Sequence, residues 1–154
     1  MENQIVVFEL AGEQFGVNIA SVESIIKMQP ITVVPQSPPF VKGVINLRGK
    51  VEPVMDTSRR FGLAEQLLTK DTRIIVIHMD QTVVGMIVDG VSEVLTVPED
   101  SIEPTPLIAT TIHSAFITGI AKMSGNLIIL LDLNKVLSLD EQIFAREMIA
   151  VADN

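Results

Sequence analysis

The 154-residue sequence contains no cysteine, no tryptophan and no tyrosine, and its whole aromatic complement is six phenylalanines. Without cysteine there is no disulfide, no thiol nucleophile and no zinc site built on thiolates. Basic residues are scarce as well, 11 Lys and Arg against 19 Asp and Glu for a net charge of −8, and they are scattered. Nucleic-acid binding draws on a clustered basic footprint that displaces counterions from phosphates. Nucleic acid is therefore excluded as a partner, and an anionic membrane surface is disfavoured on the same ground. No apolar run approaches the ~20 residues of a membrane span, so direct membrane insertion is not expected. The start, Met1-Glu2-Asn3-Gln4, has neither a basic nor an apolar targeting region, and the expectation is a soluble, cytoplasmic chain. Catalytic signatures are missing too: there is no glycine-rich phosphate cradle, P-loop or nucleophile elbow. His78 and His113 have no spaced histidine partner, so neither a metal nor any other cofactor is expected.

What the chain has in quantity is aliphatic. It is 47% hydrophobic, mostly valine, isoleucine and leucine, and β-branched side chains fit pleated surfaces. So much apolar material in a short chain also favours leaving some of it exposed for a partner. The length suits one domain, or two very small ones, at ~100–150 residues per domain.

The sequence repeats itself in two blocks. Ile5–Ile26 aligns with Ile74–Leu95 at an offset of 69, apolar against apolar, with Gly16 on Gly85. Phe40–Asp56 aligns with Phe116–Asp132 at an offset of 76 without a gap, placing Phe40 on Phe116, Gly43 on Gly119, Gly49 on Gly125 and Asp56 on Asp132. Each copy reads as short strands. Gln4–Ala11 and Gln14–Asn18 flank the turn Gly12-Glu13, and Arg73–Met79 and Thr82–Val88 flank Asp80-Gln81. Val22–Met28 and Val91–Val97 are third strands, followed by the proline-bearing stretches Pro35–Pro39 and Pro98–Pro106, read as loops or crossings. A second hairpin follows in each copy, around Arg48-Gly49 and Ser124-Gly125. Five strands per copy predict an all-β fold of two tandem small barrels, because closure removes exposed edges. The copies are expected to pack about a pseudo-twofold axis, with short helices at the junctions. Asp140–Val151 has helical spacing at Ile143, Phe144, Met148, Ile149 and Val151, and predicts a docked C-terminal helix.

The copies differ at one turn. Copy one has Asn46-Leu47-Arg48-Gly49 where copy two has Lys122-Met123-Ser124-Gly125. The turn needs its glycine, which tolerates positive φ; it has no need of Arg48. A loop arginine is ordinarily a solvated charge of little energetic weight, but one that the scaffold does not require points to a partner carboxylate, which a guanidinium grips as a rigid fork. Asp56 and Asp132 also invite a sharper reading, since symmetry-related aspartates after apolar strands make the dyad of aspartic proteases. The competing reading is helix capping, worth ~1 kcal/mol each, and Asp132-Leu133-Asn134 lacks the Thr-Ser that follows Asp56.

The run Gly43-Val44-Ile45-Asn46-Leu47-Arg48-Gly49-Lys50-Val51-Glu52-Pro53-Val54-Met55-Asp56 resembles the CheW family of bacterial chemotaxis coupling proteins, and Val84-Gly85-Met86-Ile87-Val88-Asp89-Gly90-Val91 resembles a second segment of that family. The similarity runs from about Ile5 to Leu139. It implies two five-stranded SH3-like barrels within one CheW-like domain over residues 1–154. Its duplicated subdomains fall at about 15–72 and 73–139, with the N-terminal strands open to exchange between barrels, and 140–154 is a C-terminal helix and tail. It also implies a non-enzymatic adaptor that joins the cytoplasmic tips of methyl-accepting chemoreceptors to the regulatory domain of the histidine kinase CheA, recruited to membrane receptor arrays. On that resemblance Val22, Ile25, Asn46, Leu47 and Arg48 contact the receptor, and Val41, Leu107 and Ile108 contact the kinase or neighbouring adaptors. Gly43, Gly49, Gly119 and Gly125 serve turns, and Asp56 and Asp132 serve caps. One departure stands out: many members carry a glutamate at the position of Ser24, where it pairs with the loop arginine, whereas here the glutamate is Glu23. Neighbouring strand residues point to opposite faces, so a Glu23–Arg48 pair is not expected.

Overall fold

Two hairpins turn where two successive residues take positive φ: Ala11 (52°) with Gly12 (79°), and Arg48 (53°) with Gly49 (86°). That is the turn whose twist matches the strands it joins. The structure is a computed structural model that describes residues 2–104, 116–123 and 125–152. In chain order the strands are β1 (Glu2–Leu10), β2 (Glu13–Asn18), β3 (Val22–Lys27), β4 (Val41–Leu47), β5 (Lys50–Met55), β6 (Arg73–His78), β7 (Val83–Val88), β8 (Gly90–Pro98), β9 (Ile102–Glu103), β10 (Ile117–Met123) and β11 (Asn126–Leu131). Helices α1 (Thr57–Phe61) and α2 (Leu133–Val136) follow the second hairpin of each copy, and α3 (Leu139–Ala152) follows α2.

The strands form two sheets, ordered β3-β6-β7-β5-β4 and β8-β1-β2-β11-β10-β9. The first curls towards closure through a bridge from Thr32, beyond β3, to Val44 of β4. The second does so by the same route, because the chain leaving β8 returns as β9 against Ile120 and Ala121 of β10. β9 thus continues the first strand of its barrel, and each barrel has five strands. The protein is all-β, with two such barrels and short helices.

The strands sort across the 72/73 boundary. Barrel one combines β3, β4 and β5 with β6 and β7; barrel two combines β8 to β11 with β1 and β2. The registers are reciprocal: Ile26 pairs Ile74 while Leu95 pairs Ile5, and Val54 runs parallel to Gly85 while Leu130 runs parallel to Gly16. The β1–β2 hairpin thus sits in the barrel of β8 to β11, and the β6–β7 hairpin in that of β3 to β5.

Gly43 and Gly119 show why those positions carry no side chain. Both lie at a register shift in their strands. A Cβ on Gly43 would come within 2.6 Å of Ile31 Cγ2 and collide with the Thr32 carbonyl, and one on Gly119 would sit 2.9 Å from Ile102 Cγ2 and 3.0 Å from the Glu103 carbonyl. The closing strand crosses there at backbone contact.

Burial follows from the double-barrel arrangement. Each barrel has a small interior: Ile45, Val54, Ile74, Val76 and Ile87 in one, and Ile5, Val7, Val97, Ala121, Ile128 and Leu130 in the other. The largest apolar cluster lies between them and includes Phe8, Phe15, Phe40, Phe61, Met86, Phe116 and Leu131. Strand walls with one face on a barrel interior and the other on this shared core read as continuous apolar runs, such as Ile74–Ile77.

The helices sit at the junction. Asp56 Oδ1 caps α1 by accepting from Arg59 N (3.3 Å), and Asp132 Oδ1 caps α2 by accepting from Asn134 N (3.1 Å). At the start of α3, Ser138 Oγ accepts from Glu141 N (3.1 Å) while Glu141 Oε1 accepts from Ser138 N (2.9 Å), a reciprocal capping box. Arg60 holds that helix end: its two terminal nitrogens donate to Glu141 at 2.8 and 2.9 Å, its Nε donates to the Val136 carbonyl at 2.6 Å, and its guanidinium lies 5.6 Å from the centre of the Phe116 ring. The buried side of α3 differs from the predicted one. Gln142, Ala145 and Met148 are buried, whereas Phe144 is 48% exposed. Gln142 goes inside because its amide has partners there: it donates to the Leu137 carbonyl (3.0 Å) and accepts from Gln81 N (2.9 Å).

Candidate functional site

Arg48 sits at the tip of the β4–β5 hairpin. It is exposed and makes no hydrogen bond or ion pair among the described residues. Its backbone is in the left-handed region, which costs a residue with a Cβ ~1 kcal/mol or more. The turn is braced beneath it, where Gly49 N donates to Asn46 Oδ1 at 2.9 Å. Asn46 therefore shapes the turn, and Leu47 is half-buried against the barrel-one interior. Of the three residues expected in this loop, Arg48 is the one presented outward with its donors free.

Val22 and Ile25 come to one face by a route that alternation does not suggest. The β3–β6 register shifts at Glu23, with Val22 opposite Ile77, Ser24 opposite Val76 and Ile25 opposite Ile75. This bulge absorbs one residue, so Val22 and Ile25, three apart, share the face of Ile75 and Ile77, which belong to the inter-barrel core. Val22 packs onto that core and Ile25 is 41% exposed. Ile25 and Val91 line a cleft of about 270 Å³ together with Glu9, Asp71, Arg73 and Asp89. The polar lining is organised: Asp89 accepts from Ala11 N (2.8 Å) and Gln66 Nε2 (3.2 Å), and Arg73 donates to the Lys70 and Thr72 carbonyls, both at 2.9 Å. The closure of β3 onto antiparallel β4 brings the start of β3 and the Arg48 turn to the same end of barrel one.

Glu23 does not pair with Arg48. Its Oε2 lies 3.9 Å from His78 Nε2, and its charge also reaches Glu52. Burial raises the Glu52 carboxyl above the ordinary glutamate range, the Glu23 charge raises it further, and Lys50 and His78 oppose the shift.

Val41 is corrected. It is 9% exposed and part of the inter-barrel core, because β4 is walled on both sides and its outward-looking position faces the other barrel. It presents nothing to a partner. Leu107 and Ile108 lie outside the described residues, as does His113. Asp56 and Asp132 are not a dyad: each caps its own helix, and they line separate clefts, Asp56 with Ser58, Arg59, Leu63 and Glu65, and Asp132 with Asn18, Thr118 and Asn134. The described residues contain no group of three or more acidic or histidine side chains suited to a metal ion, and no helix long and apolar enough to cross a membrane. Sequence reasoning missed Glu9, Asp71, Arg73 and Asp89. Asp71, Arg73 and Asp89 gather at the base of the β6–β7 hairpin, and Glu9 reaches them from β1 through its pairing with β8, a long-range contact that no local spacing announces.

Two barrels on one core, with an exposed guanidinium at a hairpin tip and a cleft of mixed polar and apolar lining, fit a protein–protein scaffold of the double-barrel class. Residues 4–141 match the family described as CheW-like domain. The chain is 39% identical to the chemotaxis protein CheW of Bacillus subtilis, covering 87% of this chain and 86% of that one, and 38% identical to that of Rhizobium meliloti, covering 90% of each. Among solved structures it resembles the scaffolding protein TtCheW from Thermoanaerobacter tengcongensis, with a TM-score of 0.82 and 42% identity over 92% of this chain and 91% of the other. The chain belongs to the CheW family. It is a non-catalytic scaffold of bacterial chemotaxis signalling, and the aspartic-protease alternative falls away.

Proposed function

We propose that this chain couples the cytoplasmic hairpin tips of methyl-accepting chemoreceptors to the regulatory domain of the histidine kinase CheA, and that it works in the cytoplasm, recruited to membrane receptor arrays. The observation that carries the receptor side is Arg48, an exposed cation held in a costly backbone conformation by a turn that gives it no internal partner. A receptor helix lays its apolar stripe over Val22 and Ile25 in the helix-in-groove mode, and one of its carboxylates meets the Arg48 fork. Glu23 is turned to His78, and no carboxylate among the described residues pairs with Arg48. On the family resemblance, the kinase contact involves Leu107 and Ile108. We further read the whole chain as one CheW-like domain made of two copies divided near 72/73 that exchange their first hairpins; the reciprocal registers support this reading.

The test is calorimetric titration of the chain with a receptor-tip fragment and, separately, with the CheA regulatory domain. Arg48→Ala is expected to weaken receptor binding at least ~10-fold, which is about 1.4 kcal/mol, and to leave kinase binding and thermal unfolding unchanged. Equal receptor affinity in the variant removes Arg48 from the interface, and failure of both partners to bind the wild type removes the coupling role.

A further inference from the structure

The pseudo-twofold relation makes each surface of one barrel a prediction about the other. β5 and β7 pair in parallel only at Val54–Gly85 and Met55–Met86, so the residues before those positions diverge and leave a wedge. In barrel one the C-terminal helix covers that side. α3 packs on β5, Gln142 Oε1 accepts from Gln81 N at 2.9 Å, and Arg146 Nη1 donates to Gln81 Oε1 at 3.2 Å. Underneath, Val44 is 7% exposed and Val51 packs onto the shared core.

The equivalent wedge in barrel two lies between β2 and β11, which likewise pair in parallel only at Phe15–Ile129 and Gly16–Leu130. No described helix covers it. It is an open cleft of about 460 Å³ whose lining includes Glu13, Gln14, Ile120, Asn126, Leu127 and Ile129. Leu127, the counterpart of Val51, is 59% exposed, and Ile120, the counterpart of buried Val44, is only half-buried. Several lining residues differ in kind from their counterparts, Gln14 from Val83 and Asn126 from Lys50 among them, and Glu13 brings a charge. Glu13 stands where barrel one has Thr82, and its Oε2 is shielded from solvent yet accepts no hydrogen bond. A carboxylate oxygen in that condition is costly until a cation reaches it.

We propose that the wedge between the starts of β2 and β11 is a second protein-docking site, and that its occupant is an amphipathic helix of a partner protein carrying an arginine or lysine. The helical form follows from what fills the same geometry in barrel one. The basic residue follows from Glu13, which lies one residue beyond the position equivalent to Gln81, the partner of Arg146. The apolar stripe of the helix covers Leu127 and Ile120. The site is apart from Arg48 and the Ile25 cleft, and stands whether or not those bind a receptor.

The probe is a helix-stapled, fluorescent peptide of residues 138–152 of this chain, which carries Arg146, titrated into the full chain and followed by anisotropy. Saturable binding is expected, weakened at least ~10-fold by Leu127→Asp and by Glu13→Lys, where ~10-fold corresponds to about 1.4 kcal/mol. A peptide with Arg146→Glu is expected to lose binding to the wild type and regain it with Glu13→Lys. Glu13→Gln, nearly isosteric, gives the same weakening in a variant whose fold is least disturbed, and far-UV circular dichroism checks each protein. No binding, or binding indifferent to Leu127 and Glu13, overturns the proposal. So does binding lost in Gln81→Ala instead, since the peptide would then be displacing α3 from barrel one. A chain that sediments as a dimer abolished by Leu127→Asp also overturns it, by making a second copy the occupant.

Discussion

At Gly43 a single hydrogen stands between a working barrel and a collision, because the Thr32 carbonyl and Ile31 occupy the space a methyl would fill. Backbone cannot move aside as a flexible side chain can, so Gly43→Ala is expected to destabilise the fold by about 1–3 kcal/mol, the usual cost of overpacking, read as a lower urea midpoint. Glu52 behaves oppositely. Its raised pKa means that the folded state holds a proton that the unfolded chain has already released. The folded protein therefore binds more protons across that interval, and stability falls as pH rises from the ordinary glutamate range through the raised value. Glu52→Gln should accordingly raise the thermal midpoint at neutral pH, and the advantage should vanish on acidification below the ordinary glutamate range. An advantage that persists at acid pH would mean the gain is not electrostatic.

Between residue and whole, α3 depends on one clamp. Arg60 joins α1 to the start of α3 through a bidentate pair with Glu141 and a bond to the Val136 carbonyl, with both charged side chains about one quarter exposed. Arg60→Ala should cost about 1.5–3 kcal/mol, as charge-assisted hydrogen bonds do, and hydrogen exchange should show the loss concentrated in the amides of 139–152. The strands and turns were legible in the sequence: glycines and prolines punctuate them, and apolar residues repeat in register between the copies. The α3 face was not, because Gln142 is buried through a local bond to the Leu137 carbonyl and a second one that forms only once Gln81 is beside it. Nor was the bulge at Glu23, which puts Val22 and Ile25 on one face at a spacing that alternation assigns to opposite faces. Val41 was assigned to a partner by the family resemblance alone, and in the fold it lies in the inter-barrel core. Apolar periodicity says that a residue is covered, and cannot say whether the cover is a partner or the other half of the same chain. That the turn has no structural need of Arg48 was legible, because the duplication supplied its own control, a second turn with Ser124 in its place.

For the whole molecule, the exchange of hairpins sets how the protein comes apart. A fragment of residues 1–72 holds three of the five strands of barrel one and two of barrel two; residues 73–154 hold the rest. Neither has a complete barrel, and the largest core draws on both. Expressed alone, each fragment should lack a cooperative thermal transition, and mixing them should restore one with the circular dichroism of the intact chain. Cooperative unfolding of residues 73–154 alone would show that the second copy needs nothing from the first. The same wiring bears on synthesis. The β1–β2 hairpin is synthesised before the other strands of the two barrels, yet its permanent neighbours β8 and β11 arrive only after β3 to β7. Until then its strand edges are bare, the condition in which nascent chains stick to one another. Barrel one, complete once Val88 is out, is the half able to close early, while the β1–β2 hairpin must wait for β8 and β11.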